Sequence, residues 1–536
     1  MFIKTSNALK IKLLTVFLLF LPFGIFSKEI CQPWQSSDAE TKPFIISAIN
    51  LDVNNIFDFN KPKENLKFHH LANAWHVTTK ERIIKRELLF QVGNELNLRL
   101  LAETERLLRK KPYIKEATIV PTNVCGNKVT VLVKTKDNWT LTPGISYGRT
   151  AGINRYAFEL QEKNLFGLGK SLEFKYKKGL DRIQKSVKYN DDNLFGTRNR
   201  LDVIYEDNSD GKLNFLNYYH PFFSLDSPVT WELRYYDNQR ITPLYDFGII
   251  TGEIGQNRLT YTLNYGKLSK RTSDSVHRYL IGFTSDESDF FASDTYPNSQ
   301  LPNSRSYKYP WISYEFFTED FVKRTNFNRM GRIEDISLGH HLFTKIGRSF
   351  SDSSLHFSFN YLKGFSRTQS NFILLDSSVT GIYDKQLLNT SMNVQLKWFH
   401  TQSDNRTFYS RILLNKNKNL FLENRQYLGG DTGLRGYPLR YLNGDNRLLL
   451  TLEQRFFYNW YPLKTFKFAS AVFVDSGAAW NNNEEIKQIT NIGIGLRLVP
   501  TRTSSGQIIH IDLAIPLNNR DMIDSWQLQL RAKHSF

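Results

Sequence analysis

The chain has 536 residues, a formal charge of +18 from 70 basic and 52 acidic side chains, and a mean hydropathy of −0.42 with 14% aromatic residues. No stretch beyond residue 27 approaches about 18 uninterrupted apolar residues, which excludes a transmembrane helix there. The basic residues are scattered rather than gathered in a block, so nucleic acid is not the expected partner; anionic lipid head groups are a better match for the excess.

Residues 1–27 read as a secretory signal. Lys4, Lys10 and Lys12 form a positive start, Leu13 to Phe26 is largely apolar, and Ser27 is a small residue at a cleavage point. That run of 14 residues is short of the ~20 that a spanning helix needs, and a retained anchor is the alternative. Cys31 does not mark a lipoprotein, because Lys28-Glu29-Ile30 lacks the small residues of a lipobox. After export Cys31 and Cys125, the only cysteines, meet an oxidising compartment. They are either joined to each other or left as two thiols.

After a short segment, 28–42, residues 43–139 carry helical periodicity in their middle. Thr79 is the expected N-cap of a helix over Lys80–Phe90, with Ile83, Ile84, Leu88 and Leu89 on one face. Asn97 begins a second helix with Leu100, Leu101, Leu107 and Leu108 at three- and four-residue spacing, ended by Lys111-Pro112. Strands are expected at Phe44–Val53, Tyr113–Val120 and Lys128–Thr135. The order is strand, helix, helix, strand, strand.

From residue 140 to 536 the period becomes two. Leu355, Phe357, Phe359 and Tyr361 alternate with polar residues, as do Met392, Val394, Leu396 and Trp398. Ile492, Ile494, Leu496 and Leu498 do the same, and so do Ile509, Ile511, Leu513 and Ile515. Alternation alone suits a soluble sandwich as well as a membrane barrel. Long aliphatic faces, spacers of mixed length and a signal-bearing chain that ends on Phe536 favour a transmembrane antiparallel β-barrel. The chain is therefore mainly β, with one small α+β domain in front. Trp526, Leu528 and Leu530 alternate ahead of Phe536. The word Asn164-Leu165-Phe166-Gly167 repeats as Asn193-Leu194-Phe195-Gly196, which suits hairpins on one rim.

The most specific motif is Gly433-Leu434-Arg435-Gly436-Tyr437. An arginine between two glycines sits on a backbone free to turn sharply, and Glu453 and Asp475 in nearby strands offer it carboxylates. Period two puts Thr451, Glu453 and Arg455 on the lumen face and Leu450 and Leu452 on the lipid face. This motif, with Phe473-Val474-Asp475-Ser476-Gly477 after it and the terminal Phe536, resembles the BamA/TamA family of outer-membrane barrels. Residues 43–139 resemble its periplasmic POTRA module, through Arg86-Glu87-Leu88-Leu89-Phe90, Glu103 to Arg109 and Lys136-Asp137-Asn138-Trp139.

The resemblance implies a barrel of 16 strands and a pairing of Arg435 with Asp475 and Glu453 inside it. It also implies that Trp526, Leu528, Leu530 and Phe536 form the strand signal read by assembly machinery. The implied function is insertion or export of other proteins at the outer membrane of a Gram-negative bacterium, with the POTRA domain in the periplasm. Expected partners are outer-membrane lipid and lipopolysaccharide, unfolded client β-barrel or secreted proteins, and further assembly-machinery subunits. A two-partner secretion transporter with one dedicated partner and a passive channel are the other readings. There is no His-Glu-x-x-His site or phosphate loop, so neither an enzyme, a cofactor nor a metal is expected. The adjacent His340 and His341 read as solvated or lumen-facing. Thr140–Arg149, with Pro143, Gly144 and Gly148, makes a weak edge strand where the barrel must close.

Overall fold

The computed structural model describes residues 31–35, 43–150, 153–297, 300–330, 333–461, 466–482, 484–500, 508–521, 523–533 and 536. The expected signal at 1–27 lies outside the described residues, as does most of the segment 28–42.

The N-terminal unit is a four-stranded sheet packed against helices. Strand β1 (Cys31–Pro33) pairs antiparallel with β3 (Ile114–Cys125), which pairs antiparallel with β4 (Lys128–Asp137); β2 (Ile45–Asn54) runs parallel to β4 on the other side. Cys31 and Cys125 face each other in that first register and are joined as a disulfide. Helix α3 (Leu98–Lys110) starts where Asn97 accepts the N–H groups of Arg99 and Leu100 on its side-chain oxygen, satisfying two donors that the first turn leaves unpaired. Its Leu101 and Leu108 are buried with Ile83 and Ile84 of α2 (Glu81–Glu87) and with Val129, Val131 and Val133 of β4. Each such side chain contributes roughly 1.5–3 kcal/mol on burial. A further helix, α1 (Lys67–Trp75), was not among the expected elements. Thr79 is not a helix cap: Lys80 holds that position without a side-chain bond, because the Thr79 hydroxyl is drawn to Asp137 instead.

From Leu141 to Lys533 the described residues form one antiparallel sheet of twenty strands in chain order. It curls until the last strand, Gln527–Lys533, lies alongside the first, Leu141–Thr150. Twenty replaces the expected sixteen. Connections in the first third are tight, so six strands of nine or ten residues fit between Leu141 and His220.

The alternation has a consistent sense. On the strand Ile489–Pro500, Ile492, Ile494 and Leu496 point outward and are exposed, while Asn491 and Arg497 point inward and are buried. On Ile508–Pro516, Ile511, Leu513 and Ile515 are outside and His510 and Asp512 inside. An apolar exterior around a polar interior inverts the soluble pattern.

Candidate functional site

The barrel has a near mouth, beside the N-terminal unit, and a far mouth. The connection between strands Arg406–Lys418 and Asn446–Phe457 belongs to the far mouth and folds back into the interior. It begins and ends as a short ladder, Gln426–Leu428 with Leu442–Gly444. Between them the Gly429 carbonyl accepts the N–H groups of Thr432, Gly433 and Leu434 at 3.0–3.1 Å, closing a tight turn. Gly433 has φ +132°, and a Cβ there would overlap Leu449; only glycine takes that backbone without strain. A Cβ on Gly436 would lie 2.6 Å from the Asn491 Cβ. Leu434 and Tyr437 are fully buried among Leu428, Tyr441, Leu449 and Ile489. The Tyr437 hydroxyl donates to the Thr490 carbonyl at 2.9 Å.

This turn delivers Arg435 to the C-terminal wall. Its Nε and Nη2 donate to the two Asp475 oxygens, each at 2.8 Å, and Nη1 donates to Glu453 Oε1 at 2.9 Å. The guanidinium carbon stands 3.3 Å from the centre of the Phe473 ring. Three groups that the sequence did not single out complete the arrangement. Asp512 lies 4.0 Å from Arg435 Nη1, Asn491 donates to Asp475 at 3.1 Å, and Gln529 donates to the Arg435 carbonyl at 2.8 Å. Glu453 also receives Arg455 at 3.0 Å, and Asp512 receives Arg497 at 2.7 Å. Three arginines therefore meet three carboxylates, so no buried charge is left uncompensated. Inward period-two strand positions carry all of them except Arg435, and that was the signal available for Asp512. The arrangement offers no nucleophile beside a base; what it can do is fix a loop to five consecutive strands.

The other sequence candidates are spread out. Trp526 precedes the last strand, and Trp526 and Leu528 are exposed outward. Leu530 lines a cleft beside the first strand. Phe536 does not continue the outward alternation. Its N–H donates to the Asn328 carbonyl, and its ring turns inward to Phe457 and to the guanidinium of Arg455, 4.5 Å from the ring centre. His340 Nδ1 lies 2.9 Å from the Tyr361 hydroxyl and His341 Nε2 lies 2.9 Å from Glu315.

At the near mouth the two repeated words form matching turns. Phe166 and Phe195 both sit at positive φ, 55° and 53°. The Gly167 carbonyl accepts the Lys80 N–H at 3.0 Å, and Asn193 donates to Glu87 at 3.1 Å, so both turns hold α2. Lys111 bridges Glu87 and Asp192, each at 2.9 Å. The turn words were legible in sequence; their partners, 85 and 106 residues away, were not.

Fold and site together define a class: an antiparallel barrel with an apolar exterior, a loop locked inside by a buried arginine, and a small α+β unit at one mouth. No family model matches the chain, and no curated protein does. Solved structures similar to it include BamA from Haemophilus ducreyi lacking POTRA domains 1–3, at 13% identity over 94% of this chain and 88% of that one, with a TM-score of 0.38. CdiB from Escherichia coli is similar at 11% identity over 94% and 93%, with a TM-score of 0.46. CdiB from Acinetobacter baumannii is similar at 12% over 94% and 78%, with a TM-score of 0.43.

Proposed function

We propose that the protein is an outer-membrane barrel that inserts or exports other proteins, with residues 43–139 acting as its POTRA domain in the periplasm. The outward aliphatic faces support a lipid surround, since exposing them to water would be unfavourable. The sheet edge at β2 beyond Ile46, where its bonding to residues 93–96 ends, supports capture of an extended client strand by β-augmentation. The action is mechanical, with neither a catalytic residue nor a cofactor. Its partners are outer-membrane lipid and lipopolysaccharide, unfolded barrel or secreted clients, and further assembly subunits.

The observation that carries this reading is the contrast between a loop pinned inside the barrel and a loose seam. The Arg435 loop is fixed to the C-terminal wall and reaches Asp181 and Asp246 on two other hairpins, which argues against a passive channel. A cleft of about 340 Å³ is lined by Gly144, Ile145 and Tyr147 of the first strand and Leu530, Arg531 and Ala532 of the last, and runs on over the two strands that follow the first. Pro143 has no N–H to offer a neighbour and Gly144 no side chain to pack. A client strand pairing there would enter the membrane with its backbone groups satisfied.

A photo-crosslinking residue at Ile145 in intact cells tests the reading. Adducts with many newly made barrels are expected for insertion, and adducts with one secreted protein for a two-partner transporter. A large, always-open pore in planar bilayers, with no adduct, would overturn both.

A further inference from the structure

The near mouth holds a second insert. The connection between strands Arg305–Thr318 and His340–Arg348 forms the hairpin Phe321–Thr325 with Ile333–Ser337, and its tip enters the barrel. Phe327 stacks on the inward ring of Phe399 with centroids 3.9 Å apart and meets Phe372 edge-on. Met330 is buried against Phe457, Ala469, Val499 and Ile508 of the C-terminal wall. Glu334 holds the tip in shape by accepting the N–H groups of Asn328 and Arg329, both at 2.9 Å. The Asn328 carbonyl in turn accepts the N–H of Phe536 at 2.8 Å.

The tip holds the wall by apolar contact, whereas the base of the same hairpin is tied to α3 by charge. Arg109 donates to both Asp335 oxygens, at 2.8 and 3.2 Å. Lys323 reaches Glu105 at 2.9 Å, and Arg109 also pairs with Glu105. The Arg106 guanidinium lies 4.0 Å over the Phe321 ring. One short element thus touches the N-terminal unit, the lumen wall and the chain's last residue.

We propose that the hairpin Phe321–Thr325 with Ile333–Ser337, carrying Phe327 and Met330 at its tip, is an inner plug latched by α3, and that movement of α3 frees both the near mouth and Phe536. A partner can shift such an element only by interacting differently with its two states. The Arg109–Asp335 fork provides that difference, because it exists only while α3 is seated. This inference does not depend on whether clients are inserted, exported or absent.

The test uses the full-length protein in nanodiscs with a single reporter, Ala469→Cys, beneath Met330; the native cysteines are paired and do not compete. Labelling by a membrane-impermeant maleimide is expected to be slow. Replacing 321–337 by a short Gly-Ser linker should speed it at least about tenfold, and so should Arg109→Ala with Asp335→Ala. The swap Arg109→Asp with Asp335→Arg should bring it back toward the parent rate. If the linker variant fails to fold, judged by loss of its heat-modifiable gel shift, the latch pair and the swap decide alone. Parent labelling as fast as that of the latch pair or the linker variant would overturn the inference.

Discussion

Arg435 and Asp475, forty residues apart in sequence, meet through two parallel N–H···O bonds of 2.8 Å, and both are buried. A fork of this kind fixes orientation as well as charge. Removing one partner from a buried pair typically costs about 3–5 kcal/mol, because the remaining charge is left uncompensated. Arg435→Ala is therefore expected to lower the temperature at which the barrel loses its compact gel migration. Arg435→Lys should recover only part of that loss, since an ammonium cannot form the fork. Unchanged migration temperatures in both variants would mean the loop is held by Leu434 and Tyr437 alone.

Much of this site could be read from sequence because it is periodic. Counting by two from Thr451 puts Glu453 and Arg455 inside, and all three are buried; Asp475, picked out by its motif, lies opposite Thr451 in the ladder and shares that face. The inner plug could not be read that way. Phe321-Val322-Lys323-Arg324-Thr325 resembles any amphipathic loop, and Phe372, Phe399 and Tyr409, which enclose Phe327, belong to strands far along the chain. Thr79 departs from expectation for the same reason: local propensity favours a cap, and a carboxylate 58 residues away takes its hydroxyl. Helix α1 is held by tertiary bonds such as that from Asn73 to the Phe57 carbonyl, 2.8 Å. The strand number escaped because periodicity gives the face of each strand and not the length of the turns between them.

The Cys31–Cys125 bridge spans 94 residues of sequence and ties β1 to β3. In the chain-entropy model a loop of that size contributes ~4 kcal/mol. Cys31→Ser with Cys125→Ser should accordingly lower the denaturation midpoint of the N-terminal unit and leave the barrel's gel migration unchanged. Thiol labelling of unreduced, denatured protein should find essentially no free cysteine; two free thiols would contradict the bridge directly.

Glu105 gives the contact between α3 and the plug a pH dependence. Burial alone would raise its carboxyl, but hydrogen bonds from Lys323, from the Ile119 N–H and from Arg109 outweigh that and hold it below the ordinary carboxylate value. A carboxyl depressed on folding adds stability that is fully present above its unfolded pKa, about 4.3, and is lost as pH falls through the lower folded value. The stability difference between the parent and Glu105→Gln should thus be constant from pH 7 down to about 5 and shrink below about 4. Nearby Glu103 shifts the other way, raised chiefly by its burial; because it is present in both proteins, it cancels in the comparison. A difference that instead grew on acidification would show that Glu105 is not ionised in the folded chain.

Asp137 joins the two parts of the molecule. Its Oδ2 accepts the Thr79 N–H at 2.7 Å and the Thr79 hydroxyl at 2.9 Å, with His76 Nε2 at 3.0 Å. The Asn164 side chain donates to that same Thr79 hydroxyl at 2.8 Å while accepting the Gly169 N–H at 2.7 Å. One carboxylate therefore links the segment before α2, the end of β4 and the first repeated turn of the barrel. Asp137→Ala leaves the buried Thr79 N–H without its acceptor, at about 1–3 kcal/mol. Hydrogen exchange at the Thr79 amide should accelerate by roughly 5- to 150-fold, the range those energies imply. Proteolysis between residues 137 and 141 should rise with it. Asp137→Asn keeps an oxygen acceptor and should lose distinctly less. If Asp137→Ala leaves Thr79 protected, the junction is held by the Gly167–Lys80 and Asn193–Glu87 bonds instead, and the cut between 137 and 141 should then remain as slow as in the parent.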